Sequence, residues 1–363
     1  MNNDKQYYPA LTGIRAVAAM MVYFHHANPI PAEFHRLKSY FSEFYVGVSF
    51  FFVLSGLLIG LRYSGRKIDW KKYFVYRAAR IYPMWFILTL VTFFFGYKFG
   101  GEWLKLLLLN LSFLKGFSDT LKFTGIDQGW SLTVEECFYF AAPLFILLLS
   151  RKKLYSIVIP AVLIAIGFGL MVICNASGIP AFQNEKFILT YTIFGRAWEF
   201  IFGLLLALLY KSNKEKITSL YNKTIVINWL LCIGIALIIY CMYHFREPGT
   251  YGWENYTGIL LNNYALPLFT GLFYLGLMVK NDFFSKVLST KLFVLGGKAS
   301  YIFYLIHIGV IRNVLNDHID PMLPDNLLRW IVKNLTLIAV SFTLYFLMEE
   351  PLNKGVKKIF GYK

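Results

Sequence analysis

Apolar residues along this chain fall into runs of roughly twenty, the length a helix needs to cross a bilayer. Short segments holding most of the charge separate them. Such runs can be drawn at approximately 10–28, 46–63, 83–98, 133–150, 155–174, 190–210, 226–243, 258–280, 299–316 and 328–348. They predict an all-α fold, a polytopic transmembrane bundle of about ten spans. Segment 101–117 (GEWLKLLLLNLSFLKGF) is a further apolar stretch, but Lys105 and Asn110 interrupt it, which predicts an interfacial or re-entrant helix.

Polar residues inside the runs carry the chemistry. An ionisable group within a membrane helix is costly, so its default reading is functional. The first run, LTGIRAVAAMMVYFHHA, holds Arg15 near its start and His25-His26 near its end. Eleven residues at about 100° each return to nearly the same face, so Arg15 and His26 share a stripe about 16 Å apart. His25 is expected to point elsewhere. The blander reading has Arg15 snorkelling to one interface while the histidines mark the other.

In DWKKYFVYRAARIYPMWF, Arg77 and Arg80 lie one turn apart, ahead of a span expected to start at Pro83. Paired arginines suit bidentate contact with phosphate, although a basic cytoplasmic loop explains the charge equally well. GWSLTVEECFYF predicts a helix capped by Ser131, with Glu135 and Glu136 early in it. A carboxylate at that level could orient the His26 imidazole, as the third member of a triad does. Arg196 and Glu199 at i, i+3 read as an internal ion pair. Ser300, Tyr304 and His307 share one face of the ninth span, with His307 a secondary candidate. Gly56 and Gly60 form a small-residue face for helix packing, and Glu349-Glu350-Pro351 closes the last span, facing a basic loop.

Composition agrees with the pattern. The 363 residues are 57% hydrophobic and 15% charged, whereas a soluble domain is about 45–50% apolar and about 25% charged. The net charge of +16 reflects basic loops that attract anionic membrane lipid; nucleic acid is not an expected partner. Basic residues concentrate in alternate loops, around Arg62 to Arg80, Arg151 to Lys153, Lys211 to Lys223, Lys280 to Lys298 and Lys354 to Lys358. The positive-inside rule then puts both termini in the cytoplasm. Cys137, Cys174, Cys232 and Cys241 lie in apolar segments without CxxC spacing, so neither a metal site nor a disulfide framework is expected. No cleavable signal and no appended soluble domain is expected either, and 1–363 reads as one integral-membrane domain.

Taken in order, LTGIRAVAAMMVYFHH, GVSFFFVLSG, FVYRAARIYP, GWSLTVEECFYF, GRAWEFIFG, ASYIFYLIH and EEP resemble the acyltransferase-3 family of membrane acyltransferases, from about Tyr8 to Leu352. On that resemblance the family's first-span pair falls on Arg15 and His26, its cytoplasmic arginines on Arg77 and Arg80, and its WSL glutamates on Glu135 and Glu136. Many members carry an acidic residue where this chain has Ser49, and some carry a fused extracytoplasmic domain. The resemblance implies an enzyme of the bacterial cytoplasmic membrane. It would move an acyl group, most often acetyl, from acetyl-CoA or another acyl-CoA to a hydroxyl of a cell-surface glycan or lipid-linked saccharide, without a metal. Arg15, Arg77 and Arg80 would bind the donor, and His26 would act as general base or carry an acyl-histidine. Glu135 or Glu136 would partner that base, with Arg196, Glu199, Tyr304 and His307 as further candidates. A homo-oligomer is compatible with all of this. The competing reading is a transporter or flippase for a glycan or lipid precursor, with Arg, His and Glu lining its path. A third is a scaffold without turnover.

Overall fold

The computed structural model describes residues 7–98, 100–224, 226–323 and 326–362. Every regular element among them is helical. The long helices are α1 (Pro9–His26), α2 (Gly47–Tyr63), α3 (Trp70–Gly96), α4 (Trp130–Arg151), α5 (Tyr155–Ala176), α6 (Ile193–Ser212) and α7 (Ile227–His244). They continue with α8 (Tyr256–Val279), α9 (Lys291–Ile306), α10 (Val310–Ile319) and α11 (Asn326–Ile359). The fold is the expected polytopic helical bundle. By length and apolarity 8 of its helices can cross a membrane, or 9 if the bent pair α9–α10 is one span. The 18-residue α1 is not among them; it carries Arg15, His25 and His26, and it packs inside the bundle against α2 and α9.

Glycine decides how closely the central helices approach. A Cβ at Gly56 would lie 2.1 Å from the Phe200 carbonyl oxygen, and one at Gly203 2.2 Å from that of Val53. Backbone therefore meets backbone where α2 crosses α6, as small-residue faces allow. At the crossing of α1 and α9 a Cβ on Gly297 would meet the Thr12 carbonyl at 1.8 Å. One hydrophobic core gathers around α3, α4 and α9, the other around α7 and α8, and α1, α2 and α6 contribute to both.

Three boundaries differ from the sequence reading. Asp69 accepts a hydrogen bond from the Lys72 amide and caps α3, which runs 27 residues with Pro83 inside it. Pro83 therefore does not start the span, and both arginines ride on the spanning helix itself. The ninth apolar run is broken: α9 and α10 meet at 86°, and Gly309 supplies the left-handed turn at φ 83°. The last helix does not stop at Glu350 but continues to Ile359, with a π-turn at Tyr345–Glu349 absorbing an extra residue. Pro351 falls in the first turn beyond it, where a missing N–H costs little. Glu350 pairs with Lys354 on its own helix, not with a separate loop. Segment 101–117 folds as the short helix Trp103–Leu111 and a 3-10 turn, and it is not a span.

Candidate active site

Two chambers lie along α1. The larger, about 650 Å³, collects cations from four helices: Arg15 on α1, Arg62 on α2, Arg77 and Arg80 on α3, and Lys211 on α6. Arg66, in the loop after α2, and Lys214, at the start of the short helix Lys214–Lys223, line it as well. Among the described residues no salt bridge involves Arg15, Arg77 or Arg80, and the Arg77 Nε is buried with no hydrogen-bond partner. Arg77 lies over the Tyr139 ring at 5.3 Å and Arg15 over that of Phe51 at 6.0 Å. Glu135 and Glu349 are the acidic neighbours of Arg15, and Glu349 also neighbours Arg80. Three guanidiniums that line a cavity outside any salt bridge still leave it with excess positive charge, which suits an anion. Lys211 is already engaged, donating to the Ser64 carbonyl at 2.9 Å.

Glu135 belongs to this chamber. Its carboxylate accepts hydrogen bonds from Ser55 Oγ at 2.6 Å and from the Tyr139 hydroxyl. Glu136 is buried and meets the Tyr82 hydroxyl at 3.5 Å, with its Oε1 unpartnered. No described hydrogen bond links either glutamate to His26, which corrects the expected triad geometry. Residues 135 and 136 lie more than a turn into α4, and 135 faces α2. Nor does Ser131 cap α4. It sits inside the first turn, where its Oγ donates to the Gln128 carbonyl and meets the Tyr304 hydroxyl at 2.7 Å.

The smaller chamber, about 290 Å³, lies at the other end of α1 and is lined by His25, His26, Asp127, Gln128, Trp253 and Tyr304, among others. His26 is exposed to it. The Nδ1 of His26 lies 2.9 Å from the Val22 carbonyl oxygen and 3.2 Å from Nε2 of His307. A carbonyl oxygen only accepts, so His26 Nδ1 carries the proton. The Nδ1 of His307 lies 2.8 Å from the Tyr304 carbonyl and must likewise donate, leaving His307 Nε2 as an acceptor toward His26. His26 Nε2 is then a free lone pair, the tautomer a general base needs. The His26 imidazole is thus oriented by a second histidine and a backbone carbonyl, in place of a carboxylate.

The break after α9 makes this contact. His307 is fully buried at the end of α9, its amide bonded to the Phe303 carbonyl. The chain then turns away at Gly309, and Arg312 on α10 donates back to the His26 carbonyl at 3.1 Å. The pairing spans 281 residues of sequence, and no local pattern announces it. His25 does not point away either. It lines the same chamber, with its Nδ1 bonded to the Ser42 carbonyl and its ring 5.2 Å from those of Tyr251 and Trp253.

Val48 and Tyr304 line both chambers, so they mark where the two meet. Arg196 and Glu199 form the expected buried pair at 2.6 Å, and Arg196 also donates to Ser49 Oγ at 2.9 Å. Ser49 in turn donates to Asn262 in the π-turn of α8. That chain of bonds is a structural network at the edge of the smaller chamber. Sequence reasoning missed Gln128, Trp253 and the Ser55 contact. Gln128 and Trp253 lie in loops whose approach to α1 is tertiary, and Ser55 reads equally well as bonding its own helix.

The Acyltransferase domain profile matches residues 8–348. O-acetyltransferase OatA of Staphylococcus aureus is 27% identical over 385 residues, covering 98% of this chain and 59% of that protein. A second S. aureus protein, SACOL0978, whose name assigns it the same activity provisionally, is 24% identical over 384 residues with the same coverage. The chain therefore spans about 59% of the length of these relatives. No solved structure matches it. With the profile running through both chambers and nearly the whole chain, the protein belongs to the acyltransferase-3 family of integral-membrane acyltransferases.

Proposed function

We propose that the chain transfers an acyl group, acetyl in particular, from an acyl-CoA to a hydroxyl of a cell-surface glycan or glycolipid. The observation that carries this is the pair of chambers meeting at Val48 and Tyr304, one cationic and one histidine-bearing. A nucleotide-phosphate donor suits Arg15, Arg77 and Arg80, which stand in no salt bridge among the described residues, because charge-assisted contacts to phosphate offset the burial of these cations. Family membership and the likeness to O-acetyltransferase OatA support the reaction class. The donor's long pantetheine arm would extend along α1, where Arg15 and His26 are separated by about 16 Å of helix.

In the histidine chamber, His26 Nε2 takes the proton of the acceptor hydroxyl as its oxygen attacks the thioester carbonyl carbon. The tetrahedral intermediate collapses with cleavage of the carbon–sulfur bond, and the leaving thiolate receives the proton from His26. Acyl-CoA and alcohol thereby become ester and CoA thiol, with His26 returned to its starting form. His307 holds the tautomer throughout. The enzyme sits in the bacterial cytoplasmic membrane on this reading, with the arginine chamber toward the cytoplasm.

The test is turnover by the detergent-purified chain given acetyl-CoA labelled in its acetyl group and a membrane glycan extract. The expected result is release of CoA thiol with label recovered as an alkali-labile ester. Movement of a glycan precursor across vesicles with no release of CoA would replace this reading with a transporter.

A further inference from the structure

The two chambers meet at a waist whose side chains neither hold phosphate nor move a proton. Val48 of α2 and Tyr304 of α9 are both buried, and both chambers share them as lining. Phe51, one turn beyond Val48 on α2, stands on the arginine side. Its ring lies 6.0 Å from the Arg15 guanidinium and 6.0 Å from the Tyr304 ring. Val22 stands on the histidine side, one turn before His26 on α1. An acyl group that travels from the arginines to His26 therefore passes the Val48 isopropyl group and the Tyr304 ring.

Both residues are fixed in place. Gly47, just before Val48, lies so close to α1 that a Cβ there would meet the Ala18 carbonyl oxygen at 2.4 Å and a Val22 methyl at 2.9 Å. Contact with the α1 backbone thus sets the position of Val48. Tyr304 is held at both ends. Its hydroxyl lies 2.7 Å from Ser131 Oγ, and its carbonyl accepts from Gln128 Nε2 at 2.5 Å and from His307 Nδ1 at 2.8 Å. A close-packed wall tied in this way yields little to an oversized guest.

We propose that Val48 and Tyr304 form a fixed gauge for acyl-chain length, passing acetyl to His26 and holding back butyryl and longer chains. The inference rests on the proposed acyl transfer and adds the place where its chain-length selection is made. The arginine chamber, at about 650 Å³, takes the CoA part of any of these donors alike. A longer donor then binds as acetyl-CoA does but brings its carbonyl carbon to His26 more rarely. Selection therefore falls on turnover and spares donor affinity. One surplus methylene against an apolar wall is worth about 10- to 200-fold in such discrimination.

The test gives the detergent-purified full chain acetyl-, propionyl- or butyryl-CoA with a membrane glycan extract. Release of CoA thiol reports kcat, and displacement of labelled CoA reports donor affinity. In the parent, affinities for the three donors should agree within about threefold while kcat falls at least tenfold from acetyl to butyryl. Val48→Ala should narrow the acetyl-to-butyryl ratio of kcat at least tenfold, and Tyr304→Phe, freed from Ser131, should narrow it less. Val48→Ile keeps a β-branched side chain, so it tests the gauge even where the alanine variant fails to fold, and it should widen the acetyl-to-propionyl ratio. Trp253→Leu enlarges the histidine chamber away from the waist and should leave these ratios within about twofold of the parent's. Equal kcat for acetyl and butyryl in the parent would overturn the gauge and leave acyl transfer intact. So would parent-like ratios in both Val48 variants, or a shift in Trp253→Leu as large as that in Val48→Ala. Turnover of none of the three donors would sink the acyl-transfer reading and the gauge with it.

Discussion

At the scale of single residues, the account rests on one lone pair. His26 Nε2 is free because Nδ1 is committed to Val22 and His307. His26→Ala should therefore reduce acyl transfer by a factor on the order of 10²–10⁴, the usual contribution of a general base. Its CoA affinity should be unchanged, since Arg15, Arg77 and Arg80 line the other chamber. His307→Ala should lower the turnover number more than it alters KM, because it releases the tautomer without touching the acceptor. Parent activity should rise with pH only until His26 has lost its proton, as a base must before it can act. Steady-state kinetics across pH, with CoA binding beside them, separate these outcomes. An active His26→Ala enzyme would mean the base is elsewhere. At the opposite end, Arg77→Ala or Arg80→Ala should weaken acyl-CoA binding by about 1.5–3 kcal/mol, roughly ten- to a hundred-fold, at normal expression. Unchanged donor affinity with lost activity would assign these arginines another role.

At the scale of helices, packing through glycine sets the spacing on which both chambers depend. Gly203→Ala places a methyl 2.2 Å from the Val53 carbonyl, so α2 and α6 must move apart. A cost of about 1–3 kcal/mol is expected from the overpacking, read as a lower melting temperature in detergent. Gly169→Ala on α5, where a Cβ meets nothing within 4 Å, should leave stability unchanged or slightly raised. Equal melting temperatures for the two variants would contradict the close approach. This scale was largely legible beforehand. The apolar runs located α2 and α4 to α8 within a few residues, and the Gly56–Gly60 face was recognisable as a packing seam. The break at Gly309 was not, because the sequence stays apolar across it and a single glycine is weak evidence of an 86° turn. Glu135 shows the same limit for the site. The sequence reading set it level with His26, whereas it lines the arginine chamber, and its partner, Ser55 at a separation of 80 residues, depends on how α2 and α4 are rotated.

At the scale of the whole molecule, the bundle is polar from end to end. Tyr8, Arg77, Arg80 and Lys214 gather at the arginine chamber, and Tyr362 near the other end of the chain packs on Tyr76 of α3. Asn184, bonded to Asp119, opens the segment whose Lys186 donates to the Glu254 carbonyl, next to Trp253 of the histidine chamber. The basic loops then fall on the arginine side, which gives Lys152 and Lys216 a cytoplasmic position and Asn184 and Asp320 an outer one on the proposed topology. Single cysteines at 152 and 184, on a background lacking the native cysteines, calibrate the orientation of vesicles with an impermeant label. The decisive measurement uses those vesicles. Impermeant acetyl-CoA, labelled in its acetyl group, is supplied from outside to preparations of each orientation, and label is followed into membrane glycan. Transfer is predicted only where position 152 is exposed to the donor, because the arginine chamber opens on that face. Transfer of equal rate where position 184 is exposed instead would contradict a donor site at the arginine end and, with it, the division of labour between the two chambers.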